Sequence, residues 1–224
     1  MRGFSKHIAF IPARAGSEGL PGKNRLLFDF TADFLEQTNL YDEVLVSTND
    51  PVVREMAEKR GFTIHDRKPE YAGAAVSIKA TLLNVIEEMA LPDDACIWLF
   101  YLPEVYKEPT DFKEAKERVI KENIASLCAF MPVKTHPYDC WYFDQGKRAM
   151  IRYIENDVFR RQDKPPAWEH YHYICCARAS EVPHLNSELI GVRTQPFWVS
   201  EEKARRLVEV DTPENYEQWR QSNG

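Results

Sequence analysis

Regular alternation of apolar strand runs with amphipathic helix patterns predicts an α/β chain. Its Rossmann-like, doubly wound, mostly parallel sheet carries a small β-rich excursion. Three observations support this. Short apolar runs such as Ile8 to Pro12 (IAFIP) and Cys96 to Leu102 (CIWLFYL) suit strands buried on both faces. Apolar residues between such runs recur at helical spacing. The strand-then-helix order persists to Met131, which calls for parallel pairing through crossover helices.

The first run opens into a loop rich in Gly, Ser and Pro, the expected form of a buried strand ending in a functional turn. Glu43 to Thr48 (EVLVST) reads as the second strand. Asp50 and Pro51 then make an N-cap and first-turn pair for a helix that turns Val52, Val53, Met56 and Ala57 to one side and stops at Gly61. Ile78, Leu82, Val85, Ile86 and Met89 mark another helix face, followed by the CIWLFYL strand. Thr110 is the expected cap of a helix burying Phe112, Ala115 and Val119, with a strand from Ala125 to Met131 beyond it.

From Pro132 to Pro166 the pattern changes to aromatic residues, turns and mixed charge, which predicts a β-rich excursion within a single domain over residues 1–224. Regular structure is expected again at Tyr171 to Ala177 and in a short strand at Val208 to Val210. A last helix follows, capped by Thr212 with Pro213 in its first position.

A chain of 224 residues with 44% hydrophobic content can bury a sizeable core, so a folded domain is expected rather than disorder. The net charge of -6 argues against a general nucleic-acid binder, which needs a basic surface to neutralise phosphates. No apolar run approaches the roughly 20 residues that span a bilayer, and the N-terminus lacks a signal peptide's pattern. The expectation is therefore no membrane partner and a cytoplasmic location. The five cysteines are odd in number, lack CxxC spacing and mostly sit in apolar runs, as reduced packing residues do.

Residues Ala13 to Arg25 (ARAGSEGLPGKNR) set Arg14, Lys23 and Arg25 beside Gly16, Gly19 and Gly22 directly after a strand. Glycines let backbone N–H groups approach a phosphate, and the cations donate hydrogen bonds and offset its charge. A solvated basic turn is the bland alternative. Neither GxxxxGK[ST] nor GxGxxG fits the loop, so ATPase and dinucleotide readings lose their main support. Glu209 and Asp211 alternate along the expected strand and project to one face. Read alone, the pair is taken as two exposed carboxylates before a seat for a shared divalent cation, for which magnesium is the natural choice. His136, His170 and His172 invite a metal reading, but His170 and His172 alternate on a strand beside aromatic residues with no obvious fourth ligand, so a zinc site is not expected. The aromatic residues from Tyr138 to Phe143 are read as core or interface packing before base stacking.

IPARAGSEGLPGKN resembles the IPARxGSKxxPxKN signature of the CMP-sialic acid synthetases, the acylneuraminate cytidylyltransferases. LYDEVLVSTNDPVVREMAEKRGFTI is similar to that family's second strand and helix, and DRKPEYAGAAVS to its RPxELAxDxAS segment. LVEVDTPENYE is similar to its IDIDTPEDLE segment. These matches run in order along most of the chain. The resemblance implies a sheet of the nucleotide-diphospho-sugar transferase type and a CTP-dependent cytidylyltransferase. Such an enzyme joins CMP to a sialic-acid-like or other 2-keto-3-deoxy sugar acid and releases pyrophosphate, in polysaccharide biosynthesis.

By that likeness Arg14, Gly16, Ser17, Lys23, Asn24 and Arg67 contact the nucleotide, and Lys23, Arg14 and Asp211 are the catalytic candidates. Arg161 and Gln162 lie beside the sugar, and Glu209 and Asp211 hold Mg2+. The resemblance also implies a homodimer whose excursion, here 132–166, reaches the neighbouring subunit. Glu18 stands for the family's lysine, Ala74 for an aspartate and Glu209 for an aspartate, while WLFYLPEVYKEP lacks the residues of LLQPTSPLR. These departures favour an unusual sugar or a homologue with reduced activity. They keep open a nucleotidylyltransferase for another sugar or sugar phosphate, and a noncatalytic nucleotide-binding homologue.

Overall fold

A computed structural model of the chain describes residues 3–223. The first strand, β1 (His7–Pro12), leads through the glycine loop into helix α1 (Lys23–Thr38). Strand β2 (Glu43–Thr48), helix α2 (Pro51–Lys59) and strand β3 (Thr63–Asp66) follow. Asp50 caps α2 as expected, its carboxylate accepting from the Val52 N–H at 2.9 Å, with Pro51 at the first position. Helix α3 (Ile78–Glu88), capped by Ser77, precedes β4 (Cys96–Leu99).

Helix α4 (Pro109–Glu122) starts one residue before Thr110, with Glu108 at its cap position, so the expected Thr110 cap is corrected. Proline is suited to the first helical turn because its missing N–H has no partner there, and this places the start. Strand β5 (Ser126–Pro132) is followed by the excursion. There β6 (Trp141–Asp144) and β7 (Ala149–Arg152) pair only with each other as an antiparallel hairpin.

The chain returns through β8 (Trp168–Arg178) and β9 (Thr194–Trp198) to the short helix α5 (Glu201–Ala204) and the final helix α6 (Pro213–Asn223). Seven strands form the main sheet in the order β3-β2-β1-β4-β8-β5-β9. β8 alone runs antiparallel, between β4 and β5, while the other pairings are parallel. The expected strand at Val208 to Val210 reduces to one antiparallel bridge between Glu209 and Glu104. The alternation of the two carboxylates nevertheless survives, since Val210 between them is fully buried.

Successive residues of β1 feed opposite faces. Ala9 and Ile11 pack with Leu27, Phe28, Val53 and Phe112 from α1, α2 and α4, whereas Ile8 and Phe10 pack with Leu82 and Val85 from α3. The sheet is thus covered on both sides, as its apolar strands require. β1 has parallel neighbours on each side, β2 and β4, reached by connections that leave in opposite directions. Open α/β sheets form a crevice at such a reversal, beyond the carboxyl ends of the strands. Among the described residues no helix is long and apolar enough to cross a membrane.

Phe112 joins α4 to this core. Its ring stacks on Phe100 at 5.4 Å and meets Phe34 and Tyr173 edge-on at 5.0 and 5.5 Å. Phe112→Ala is expected to destabilise the protein by about 3–5 kcal/mol, read as a lower urea midpoint, because it removes a fully buried ring and leaves a cavity.

Candidate functional site

A cavity of about 500 Å3 opens beyond the ends of β1 and β4, at the point where the sheet order reverses. The loop after β1 forms one wall, and Val76, Ile78 and Thr81 at the start of α3 form another. Tyr101 and Pro103 follow from β4, and Asp211 and Thr212 close the cavity from the C-terminal segment.

The loop is held by residues that follow β2. Thr48 Oγ1 donates to the Ala13 carbonyl at 2.6 Å, and Asn49 Oδ1 accepts from the Ala15 N–H at 2.8 Å. From α1, the Asn24 amide donates to the Arg14 carbonyl at 2.7 Å. Gly16 takes a left-handed φ of 75°, which a residue with a Cβ adopts only under strain. Gly19 has a different reason to be glycine: a Cβ there would lie 2.6 Å from the Asp211 carbonyl oxygen. The loop and the C-terminal segment are therefore in close backbone contact.

Three cations face the cavity. Arg67, only 7% exposed, is fixed by its Nε donating to Ser47 Oγ at 3.1 Å, while its buried Nη2 has no hydrogen-bond partner among the described residues. No described carboxylate pairs with it. Burial and the neighbouring Arg14 lower its pKa to about 10. Arg14 donates to the Gly16 carbonyl at 3.0 Å, and Lys23 pairs with Asp211. Helix α1 adds to the positive field, since its N-terminus has no acidic residue in the first turn and no side-chain cap. Such a set suits a ligand carrying several negative charges.

The acidic side opposes it. Burial acts to raise the Asp211 carboxyl, but the Lys23 ammonium outweighs it and holds the group below its ordinary value. Partial loss of hydration and then the adjacent Asp211 carboxylate raise Glu209, even though this residue keeps an exposed surface. Glu104 is almost wholly buried, and burial pushes its carboxyl up to about 7, with Glu209 adding to the rise and the Tyr171 hydroxyl opposing it.

Arg14, Ser17, Lys23, Asn24, Arg67 and Asp211 thus line one cavity, although they span the chain from its first loop to its last helix. Gly16 shapes the loop beside them, and Glu209 sits next to Asp211. Glu18, the departure noted in the glycine loop, is exposed at the rim. Arg25 turns away and pairs with Asp50 at 2.8 Å, so it leaves the cation set that its spacing suggested. Arg161 and Gln162 are exposed on the excursion. Arg161 borders a separate cavity of about 440 Å3 with Lys134, Glu169 and Arg205.

Sequence reasoning passed over Ser47, Asn49, Tyr101 and Glu104. A lone acid among the apolar residues of LFYLPEVY was a signal for Glu104, and a strand ending in Ser-Thr-Asn beside a glycine loop was one for Ser47 and Asn49. Behind Tyr101, whose ring meets His172 at 4.5 Å, burial and the neighbouring His170 lower the His172 imidazole to about 4.

Comparison with known proteins gives a consistent result. The model of the family described as Cytidylyltransferase matches residues 8–221. The chain is 27% identical over 173 residues to an N-acylneuraminate cytidylyltransferase of Streptococcus agalactiae serotype V, a match that covers 73% of the chain. It spans only 41% of that relative's length. A CMP-N,N'-diacetyllegionaminic acid synthase of Legionella pneumophila is 22% identical over 216 residues, covering 92% of this chain and 91% of its own. Among solved structures, a CMP:2-keto-3-deoxy-manno-octonic acid synthetase complexed with CTP superposes with a TM-score of 0.68 at 19% identity. That superposition covers 96% of this chain and 97% of the other, and it establishes the shared fold.

The Gly19 contact can be tested directly. Gly19→Ala is expected to lower stability in urea by about 1–3 kcal/mol, the usual cost of forcing an atom into a filled space, because the carbonyl it meets belongs to backbone. A stability equal to that of the parent protein would mean that the loop does not rest on Asp211.

Proposed function

The chain belongs to the cytidylyltransferase family, and on that premise we propose that it transfers CMP from CTP to a sialic-acid-like or related 2-keto-3-deoxy sugar acid. The single observation that carries the proposal is the buried Arg67 guanidinium beside Arg14, without a carboxylate partner, at the wall of the cavity. A desolvated cation of this kind is costly unless an anion completes it, and a triphosphate supplies that anion. The two relatives, an N-acylneuraminate cytidylyltransferase and a CMP-N,N'-diacetyllegionaminic acid synthase, support the acceptor class.

In this reading Arg14, Arg67 and the start of α1 hold the phosphates, with Gly16 and Ser17 offering the loop backbone. Asn24 acts by keeping the loop in place through Arg14. The anomeric hydroxyl oxygen of the sugar attacks the α-phosphorus in line. A new P–O bond forms as the bond to the β-phosphate bridging oxygen breaks, and pyrophosphate leaves with that electron pair while the hydroxyl proton passes to a base. Lys23 sits where it offsets the charge that accumulates, and Asp211 sets the ammonium's position.

Glu209 and Asp211 fit a hard divalent cation, because two adjacent carboxylates that repel each other are relieved by one. Magnesium bound there would offset the charge of the phosphates and of the sugar's carboxylate. Arg161 and Gln162 are assigned to the sugar acid, reached from a neighbouring subunit of a homodimer. The exposed Trp141, Phe143 and Phe159 on the 132–166 excursion of this single domain support such a contact. The activity belongs to cytoplasmic polysaccharide biosynthesis in this proposal.

Pyrophosphate release measured with CTP and with other nucleoside triphosphates, across a panel of sugar acids, is expected only with CTP. Lys23→Ala should lower kcat/KM by about 10²–10³-fold, the loss typical of one charge-stabilising donor. Magnesium-dependent CTP binding with no release on any acceptor would reject catalysis. Arg67→Met separates binding from folding. It should raise the unfolding free energy by on the order of 1 kcal/mol, read as a higher urea midpoint, because an unpartnered buried charge is removed, and weaken CTP binding at least tenfold in calorimetry.

A further inference from the structure

His170 and His172 lie on the same side of β8, their rings T-shaped at 4.6 Å, although residues 172–174 interrupt the ladder. The register passes from Cys128 opposite Cys175 to Ala129 opposite Tyr171, so His172 sits within a bulge. Bulges of this kind re-aim a side chain. The result is chemically odd for a packed core: His170 Nε2 and His172 Nδ1 are both buried without a hydrogen-bond partner. Buried ring nitrogens are ordinarily satisfied, and an unmade bond at each carries a desolvation cost.

The fold also supplies what the local sequence lacked. Glu188 arrives from the segment after β8, with Oε2 3.6 Å from His172 Nε2, so His172 would ligate through Nε2, while the unpartnered Nδ1 is the ring's other nitrogen. Ligand atoms of His170, His172 and Glu188 lie within 4.8 Å of one another. Tetrahedral zinc with bonds of ~2.0–2.1 Å needs ligand atoms roughly 3.3 Å apart, a closure within the reach of side-chain rotation. Glu188 is exposed and free to make that movement. Beneath the pair, Cys128 lies beside His170 and is 3.2 Å from Cys175, which supports the ring from the core side.

From this geometry we propose that His170, His172 and Glu188 form a second metal site, one that takes a borderline divalent transition metal of the zinc class and leaves a coordination position open. Imidazole with one carboxylate selects such a metal over magnesium, whose preferred ligands are all oxygen. The site is therefore chemically distinct from the Glu209 and Asp211 pair. It touches the cavity through Tyr101, which packs on His172 and lines the cavity wall. The two sites share that one aromatic side chain.

Purified full-length protein, stripped with chelator, is to be titrated with zinc and separately with cobalt in millimolar magnesium. Bound metal is read by elemental analysis after desalting and by the visible d–d absorption of cobalt. One equivalent per chain is expected, with tetrahedral or five-coordinate cobalt intensity. His172→Ala and Glu188→Gln should each weaken zinc binding by about 10–100-fold or more, whereas Asp211→Asn should retain one equivalent. Glu188→Gln changes an exposed side chain, so it keeps the test sharp if His172→Ala fails to fold. Less than one-tenth equivalent in the parent protein, undiminished binding in Glu188→Gln, or loss of the metal in Asp211→Asn would each overturn the site. None of these measurements uses CTP, so their outcome is independent of the transferase reading.

Discussion

The cavity exists because a lysine at the start of the first helix meets an aspartate 188 residues later. Gly19 makes that meeting possible, since it lets the loop lie against the Asp211 backbone where a side chain would collide. The ion pair does more than join two chain ends. It holds an ammonium at the boundary between a cation-rich wall and an acid-rich one, and so sets the polarity of the space between them. The contact adds to the other ties that fix the last segment to the body of the sheet region: the Glu209–Glu104 bridge, the fully buried Val210 and the edge-on meeting of Trp219 with Phe30 at 4.5 Å.

The two walls carry opposite electrostatic faults. Among the described residues Arg67 is a buried cation with no anion, while Glu209 and Asp211 are neighbouring anions that share one ammonium. In a folded protein such faults cost stability, and both are tolerated where a ligand corrects them. Rigid anchoring sharpens the effect: Thr48, Asn49 and Asn24 hold the loop backbone, and Ser47 holds Arg67, so neither wall can relax toward the other. A polyanion accompanied by a cation would satisfy both walls at once. That complementarity is preorganised, which is how a site lowers a barrier without reorganising during the reaction.

β8 links this space to the histidine cluster. By running antiparallel between β4 and β5, it places Tyr171 toward Glu104 and, through its bulge, His172 against Tyr101. One strand therefore borders both a hard-oxygen acid cluster and a nitrogen-rich one. Tyr101 is the side chain that touches both regions, its ring meeting His172 at 4.5 Å while it lines the cavity wall.

Much of the fold was legible because its signals are local. An apolar run such as IAFIP can only be a buried strand or helix, and glycines with cations directly after it predict a loop that could take a phosphate. Asp50-Pro51 and Thr212-Pro213 mark helix starts through the geometry of the first turn, and Glu209 and Asp211 are separated by one buried residue. Strand direction was not legible, since the apolar pattern of β8 is the same whichever way the strand is inserted. Nor was the pairing of Arg25 with Asp50, the burial of Glu104, or the arrival of Glu188 beside His172. Residue type and spacing along the chain determined the strands, the helices and the chemistry of the loop. Which charges stay unpaired and which distant groups converge was decided by tertiary packing, because those depend on neighbours that no local stretch of sequence contains.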